Sequence, residues 1–112
     1  MKDKPKFDIL YTEDAISFLS SLDEKIKDKI TYNIDKSRYI IDKNLFKKLE
    51  NTEIWEFRTK YNNIAYRLLA FWDTRTNSLV IATHGFVKKT QKTPLKEIAK
   101  AEEIRKRYFN IK

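Results

Sequence analysis

The period of the apolar positions changes near residue 45, and that change divides the chain into a helical and a stranded part. Residues 6–12, KFDILYT, alternate loosely between apolar and polar side chains and predict a short strand. Thr12 follows as a helix N-cap, with Glu13 and Asp14 where the positive end of the helix favours them. Ala15, Leu19 and Leu22 then fall at helical spacing, and Asp23 restarts a second helix in which Ile26, Ile30 and Ile34 are four apart. The two segments predict an antiparallel helical hairpin whose Lys and Asp residues form a solvated outer face. From LFKKLENTEIWEFRTKY onward the apolar residues alternate or run short. They predict strands over about residues 49–59, 64–73 and 78–87. YNN at 61–63 and DTRTN at 73–77 supply the turns, and connections this short imply antiparallel neighbours. TPLKEIAKAEEIRKRYF closes the pattern as a helix, with Thr93 as N-cap and Pro94 at the first helical position. Leu95, Ile98, Ala101, Ile104 or Arg105, and Tyr108 would form its apolar stripe. The expected order is β-α-α-β-β-β-α. It gives an α+β fold with helices against one antiparallel sheet, in a single domain over residues 1–112.

Composition supports a folded core of modest size. The 112 residues include seven Phe, six Tyr and two Trp, against one Gly and two Pro. With no cysteine and one histidine, the chain offers no disulfide framework, thiolate metal site or histidine cluster. No apolar run is long enough to span a membrane, and MKDKPKFDIL lacks the apolar core of a secretory signal. The expectation is a cytoplasmic protein without cofactor or metal. Net charge is +8, and most of the excess is C-terminal. Residues 84–112 carry nine Lys or Arg against three Glu, whereas residues 1–83 carry fifteen against thirteen acidic residues. Such a surface suits a polyanion, and it would equally serve as plain solvation.

Strand alternation distributes the candidate chemistry. Ile54, Glu56 and Arg58 share one face, and Trp55 and Phe57 the other. Ala65, Arg67, Leu69 and Phe71 share a face, opposite Tyr66, Leu68, Ala70 and Trp72. Arg67 among apolar neighbours needs a partner, either Glu56 across the strands or an external anion. HGFVKKTQKTP, residues 84–94, holds the only histidine, the only glycine, three lysines and no acidic residue. His84, Phe86 and Lys88 alternate onto one face. An imidazole, a ring and adjacent ammonium groups suit an RNA backbone with one exposed base, although His84 and Phe86 taken singly would serve equally as packed residues. The chain has no glycine-rich phosphate loop and no metal-ligand spacing. An enzyme built from Lys, Arg, His and Tyr suits RNA cleavage by the RNA's own 2′-hydroxyl, with a side-chain base and acid and with cations on the phosphorane.

The segments IWEFR, YRLLAFWD and HGFVKKTQKTPLKEIAKAEEIRKRY resemble the HigB-like, phage-related branch of the RelE/ParE toxin superfamily, over roughly residues 6–109. The resemblance implies a RelE-like sheet flanked by an N-terminal hairpin and a C-terminal helix. It also implies the toxin of a type II toxin–antitoxin system, which enters the ribosome and cuts mRNA there. The partners would be the ribosome, its mRNA and a separate antitoxin, often of helix-turn-helix type. Arg58 and Arg67 fall where this branch keeps sheet arginines, Lys88 and Lys89 on its paired lysines, and His84 and Phe86 on its His-Gly-Phe motif. The expected catalytic set is Arg58, Arg67, His84, Lys88 and Lys89, with a lysine or His84 as base. Lys60, Tyr66, Phe86 and Lys92 would contact RNA, Tyr66 also being a candidate acid. The ParE side of the superfamily inhibits DNA gyrase on the same scaffold, so a non-catalytic gyrase-binding toxin, or an inactive relative, is the alternative. Convergence of Arg58, Arg67 and residues 84–89 on one concave surface would favour the nuclease.

Overall fold

Three helices enclose a five-stranded sheet in the computed structural model, which describes residues 4–76 and 78–111. The order is β1 (Asp8–Tyr11), α1 (Glu13–Ser20), α2 (Glu24–Ser37), β2 (Phe46–Lys48), β3 (Trp55–Tyr61), β4 (Ile64–Asp73), β5 (Leu79–Lys88) and α3 (Leu95–Ile111). The expected Thr12 cap forms, and Asp23 caps the helix it was expected to start. The Thr12 hydroxyl accepts from the Ala15 amide at 3.2 Å, and the Asp23 carboxylate from the Lys25 amide at 3.2 Å.

The sheet runs β1-β5-β4-β3-β2. It is mixed rather than wholly antiparallel as expected, because β1 pairs with β5 in parallel. The strand expected over 49–59 begins only at Trp55, and a separate short strand, β2, precedes the expected span. β2 ends at Lys48, the chain turns through Asn51 at φ 60°, and the Leu49 amide donates to the Ile54 carbonyl at 2.9 Å before β3 begins at Trp55. Asparagine tolerates that left-handed backbone, and no apolar period marks so short a reversal. The β3–β4 connection is the expected turn, with Asn62 and Asn63 at φ 51° and 65° between the paired Tyr61 and Ile64. Positive φ at both central residues suits the twist of a two-residue hairpin. The expected β4–β5 turn includes Asn77, which lies outside the described residues, as do Met1–Asp3 of the N-terminal stretch.

Alternation sends the two sides of the sheet to different partners. Phe57, Tyr66, Leu68, Ala70, Val80 and Ala82 pack under the α1–α2 hairpin with Ala15, Leu19, Ile30 and Ile34. Ile54, Leu69, Phe71 and Ile81 pack under α3 with Ala101, Ile98, Ile104 and Tyr108. Leu95 leaves the expected stripe and is 82% exposed. The start of α3 also differs. Its first turn closes on the Pro94 carbonyl, which accepts from Glu97 and Ile98, while the Thr93 hydroxyl donates to Glu56 at 2.8 Å.

A register shift between Leu69 and Ala70 decides the face of the last basic stretch. Ala70 pairs with Ala82 and Leu69 with His84, so Thr83 is the extra residue of a bulge. Uninterrupted alternation would put His84 with Val80 and Ala82 under the hairpin. The bulge instead moves His84, Phe86 and Lys88 to the α3 side, where they join Glu56, Arg58 and Arg67. Gly85 then faces the hairpin, where a Cβ would lie inside the Phe18 ring. Here glycine is required for close approach of α1.

Candidate phosphate-binding groove

Arg58 and Arg67 stand directly opposite each other on β3 and β4. Like charges so placed repel. Glu56 lies two residues before Arg58 on the same face and is 3% exposed. Its carboxylate is 3.6 Å from the Nε of both Arg58 and Arg67, and it accepts the Thr93 hydroxyl. At 3.6 Å the arginines are attracted but not hydrogen-bonded. The Arg67 Nη1 donates to the Tyr66 carbonyl at 3.1 Å, and the Arg58 Nη1 lies at 3.4 Å from the Lys43 carbonyl. The Nε atoms of both arginines are buried and have no hydrogen-bond partner among the described residues. Burial lowers the pKa of Arg67, Glu56 opposes that effect, and Arg58 adds to it.

The two arginines open onto a pair of adjoining depressions. One, of about 310 Å³, is lined by Asn44, Arg58, Thr59, Lys60, Ala65 and Arg67. The other, of about 740 Å³, includes Lys60, Asn63, Arg67, Lys88, Lys89 and Gln91. Lys60, Ala65 and Arg67 belong to both, so the depressions form one groove along the β3–β4 turn and the end of β5. Lys88 pairs with Ala65 and so stands beside Arg67. Burial lowers its pKa first, and then the charge of Arg67, while Glu56 works the other way. That environment favours a neutral amine more than an exposed lysine would.

The structure thus brings together Arg58, Lys60, Arg67, Lys88 and Lys89. It does not bring His84, Phe86 or Tyr66 to them as accessible groups. His84 shares the sheet face but is 4% exposed, because the first turn of α3 covers it. Its Nε2 is 3.0 Å from Glu97 and its Nδ1 3.1 Å from the Thr83 hydroxyl. Burial lowers its pKa, the Glu97 hydrogen bond opposes this, and Lys100 lowers it further. Phe86 packs against the α3 cluster. Tyr66 is 5% exposed on the hairpin side, as alternation beside an outward Arg67 requires. Lys92 is exposed in the β5–α3 loop.

Glu56 and Thr93 matter more to the groove than the sequence suggested, since together they hold the two arginines without saturating them. The spacing Glu56-x-Arg58 was a legible signal for the first, but none marked Thr93, which read as a cap. Lys47 of β2 adds charge felt at Lys88, and it was hidden because β2 had no pattern of its own. Among the described residues no three His, Cys, Asp or Glu side chains are grouped to hold a metal ion.

Two guanidinium groups on one groove, backed by a buried carboxylate and bordered by lysines, have the charge and geometry that suit an anion. The class this defines is a small α+β protein with a cationic groove on one face of its mixed sheet. Residues 17–106 match the family described as Phage derived protein Gp49-like (DUF891), and the chain belongs to that family. The family is part of the RelE group associated with toxin–antitoxin systems. No curated protein matches the chain. Among the described residues no helix is long and apolar enough to cross a membrane.

Proposed function

We propose that the chain is a single-domain, HigB-like toxin of the RelE type that acts in the cytoplasm, partnered by an antitoxin, and cleaves mRNA on the ribosome. The observation that carries this reading is the convergence of Arg58, Lys60, Arg67, Lys88 and Lys89 on one groove. In the proposed reaction a scissile phosphate lies across Arg58 and Arg67. Lys88, with its pKa lowered by burial and Arg67, takes the proton of the 2′-hydroxyl. The 2′-oxygen attacks phosphorus, and the arginines stabilise the charge that develops on its oxygens. The 5′-oxygen leaves with a proton from Lys89 or Lys60. The reaction needs no metal, and the products are a 2′,3′-cyclic phosphate and a 5′-hydroxyl.

Burial of Tyr66 and His84 favours a second reading, in which the groove binds without cleaving. A gyrase-directed toxin would need the charge but no proton donor beyond the lysines. Expression of the chain alone separates the two. The nuclease reading expects growth arrest with translation blocked, relief by the antitoxin, and mapped RNA ends of the cyclic-phosphate and 5′-hydroxyl kind. Ends bearing 5′-phosphate and 3′-hydroxyl would exclude the mechanism. Arrest through DNA damage with mRNA intact would establish the gyrase reading.

A further inference from the structure

Ala65 is an uncommon choice for its place in the sheet. β4 is the central strand of the five, and Ala65, its second residue, is partly exposed on the same face as Arg67. A half-exposed position on a strand ordinarily favours a β-branched or aromatic side chain that packs against its cross-strand neighbours, and alanine is depleted there. The neighbours here are Lys60 on β3 and Lys88 on β5, both paired with Ala65 and each about 4.8 Å away across the sheet. Arg67 follows on the same face of β4, and Asn63 of the turn borders the other end. The alanine methyl thus leaves a notch with cations on three sides, and Ala65 lines both parts of the groove.

The rows of the sheet set how a polymer can cross it. Arg58 and Arg67 form one cross-strand row, and Lys60, Ala65 and Lys88 form the next row towards the turn. Two residues of strand separate them, about 6.7 Å. That spacing is close to the step between successive phosphates of an extended nucleic-acid strand. A phosphate at the arginines therefore puts an adjoining sugar over Ala65, beside Lys88.

We propose that Ala65 is the seat of the sugar–phosphate backbone of single-stranded RNA, an assignment that rests on reading the groove as an RNA site. The small side chain admits the ribose whose 2′-hydroxyl faces Lys88, and the strand runs along β4. A larger residue at this position keeps every charge of the groove and closes the notch, so shape is separated from electrostatics.

The test is a size series in the full chain, Ala65→Ser, Ala65→Val and Ala65→Ile. Anisotropy of a fluorescein-labelled single-stranded oligoribonucleotide reads binding, and thermal melts read the fold. Ala65→Ser should bind like the wild type. Ala65→Val and Ala65→Ile should bind progressively more weakly, the isoleucine variant by at least about tenfold, the scale of one lost charge-assisted hydrogen bond. Both should melt no lower than the wild type, because β-branched residues suit the strand. Full binding by folded Ala65→Val and Ala65→Ile would overturn the seat and leave the RNA reading of the groove standing. Loss confined to variants that melt lower would make Ala65 a packing residue and overturn it as well. A wild type that neither binds nor cleaves RNA would overturn the reading of the groove, and the seat with it.

Discussion

Glu56 has two arginines and a threonine hydroxyl around one buried carboxylate, and this arrangement sets the expected behaviour of its neighbours. Removing Arg67 does not leave Glu56 alone, because Arg58 remains at 3.6 Å. Arg67→Ala should therefore destabilise the fold by less than the ~3–5 kcal/mol of a fully broken buried pair. It should still lower mRNA cleavage by about a hundredfold, the size of one lost transition-state donor. Thermal melts beside a ribosome-dependent cleavage assay measure both effects. A fully active but unstable protein would mean that Arg67 only holds the sheet. Lys88 gives a separate test. Lys88→Arg keeps the charge but removes the base, and should cost about a hundredfold or more in rate. Because its pKa is lowered, the wild-type rate should rise with pH and level off below the ordinary lysine value of 10.5. A flat profile would rule out this base.

Among the elements, α3 and α1 each make one close contact with the sheet that a single substitution probes. At α3 the contact is His84 with Glu97. The folded pKa of His84 is lowered from 6.5, so the unfolded chain binds its proton more readily. The neutral imidazole's contribution is thus complete above about pH 6.5 and is lost as pH falls through the window below it. Melting temperatures between roughly pH 5 and 7.5 should fall more steeply for the wild type than for His84→Gln. Parallel curves would show that His84 does not couple α3 to pH. At α1 the contact is Gly85 beneath Phe18. Gly85→Ala should cost about 1–3 kcal/mol by overpacking, although alanine ordinarily suits a strand better than glycine. Adding Phe18→Ala should relieve the collision, and a Gly85→Ala melt equal to wild type would contradict the packing.

At the scale of the whole molecule, charge and apolar surface are separated. The groove at the β3–β4 turn is cationic, and a crevice lined by Phe7, Phe46, Trp55 and Trp72 is aromatic. Electrostatic binding of a single strand releases counterions, so log K should fall linearly with log salt. Lys60 is exposed and borders both parts of the groove. Lys60→Ala should reduce that slope by about 0.7, the value for one phosphate contact on a single strand. An unchanged slope in RNA-binding titrations would place the strand elsewhere.

The sequence by itself determined the helical hairpin, the Asn62–Asn63 turn, the two long strands and the last helix. These follow from local periods, caps and turn residues, which act over a few residues. It also determined that Glu56 and Arg58 share a face and that Arg67 opposes Tyr66, since alternation along one strand is a local property. Tertiary structure decided what lies between strands. β1 joins β5 in parallel, which no single segment encodes. β2 is three residues long, too short for any period to show. The convergence of the basic residues depended on Thr83, because one extra residue in β5 reverses which side the following side chains face. The covering of His84 depended on where the first turn of α3 lands. Alternation fixes faces only within an unbroken strand, and burial depends on what packs over a face, so the groove became defined only when strands and helix were assembled.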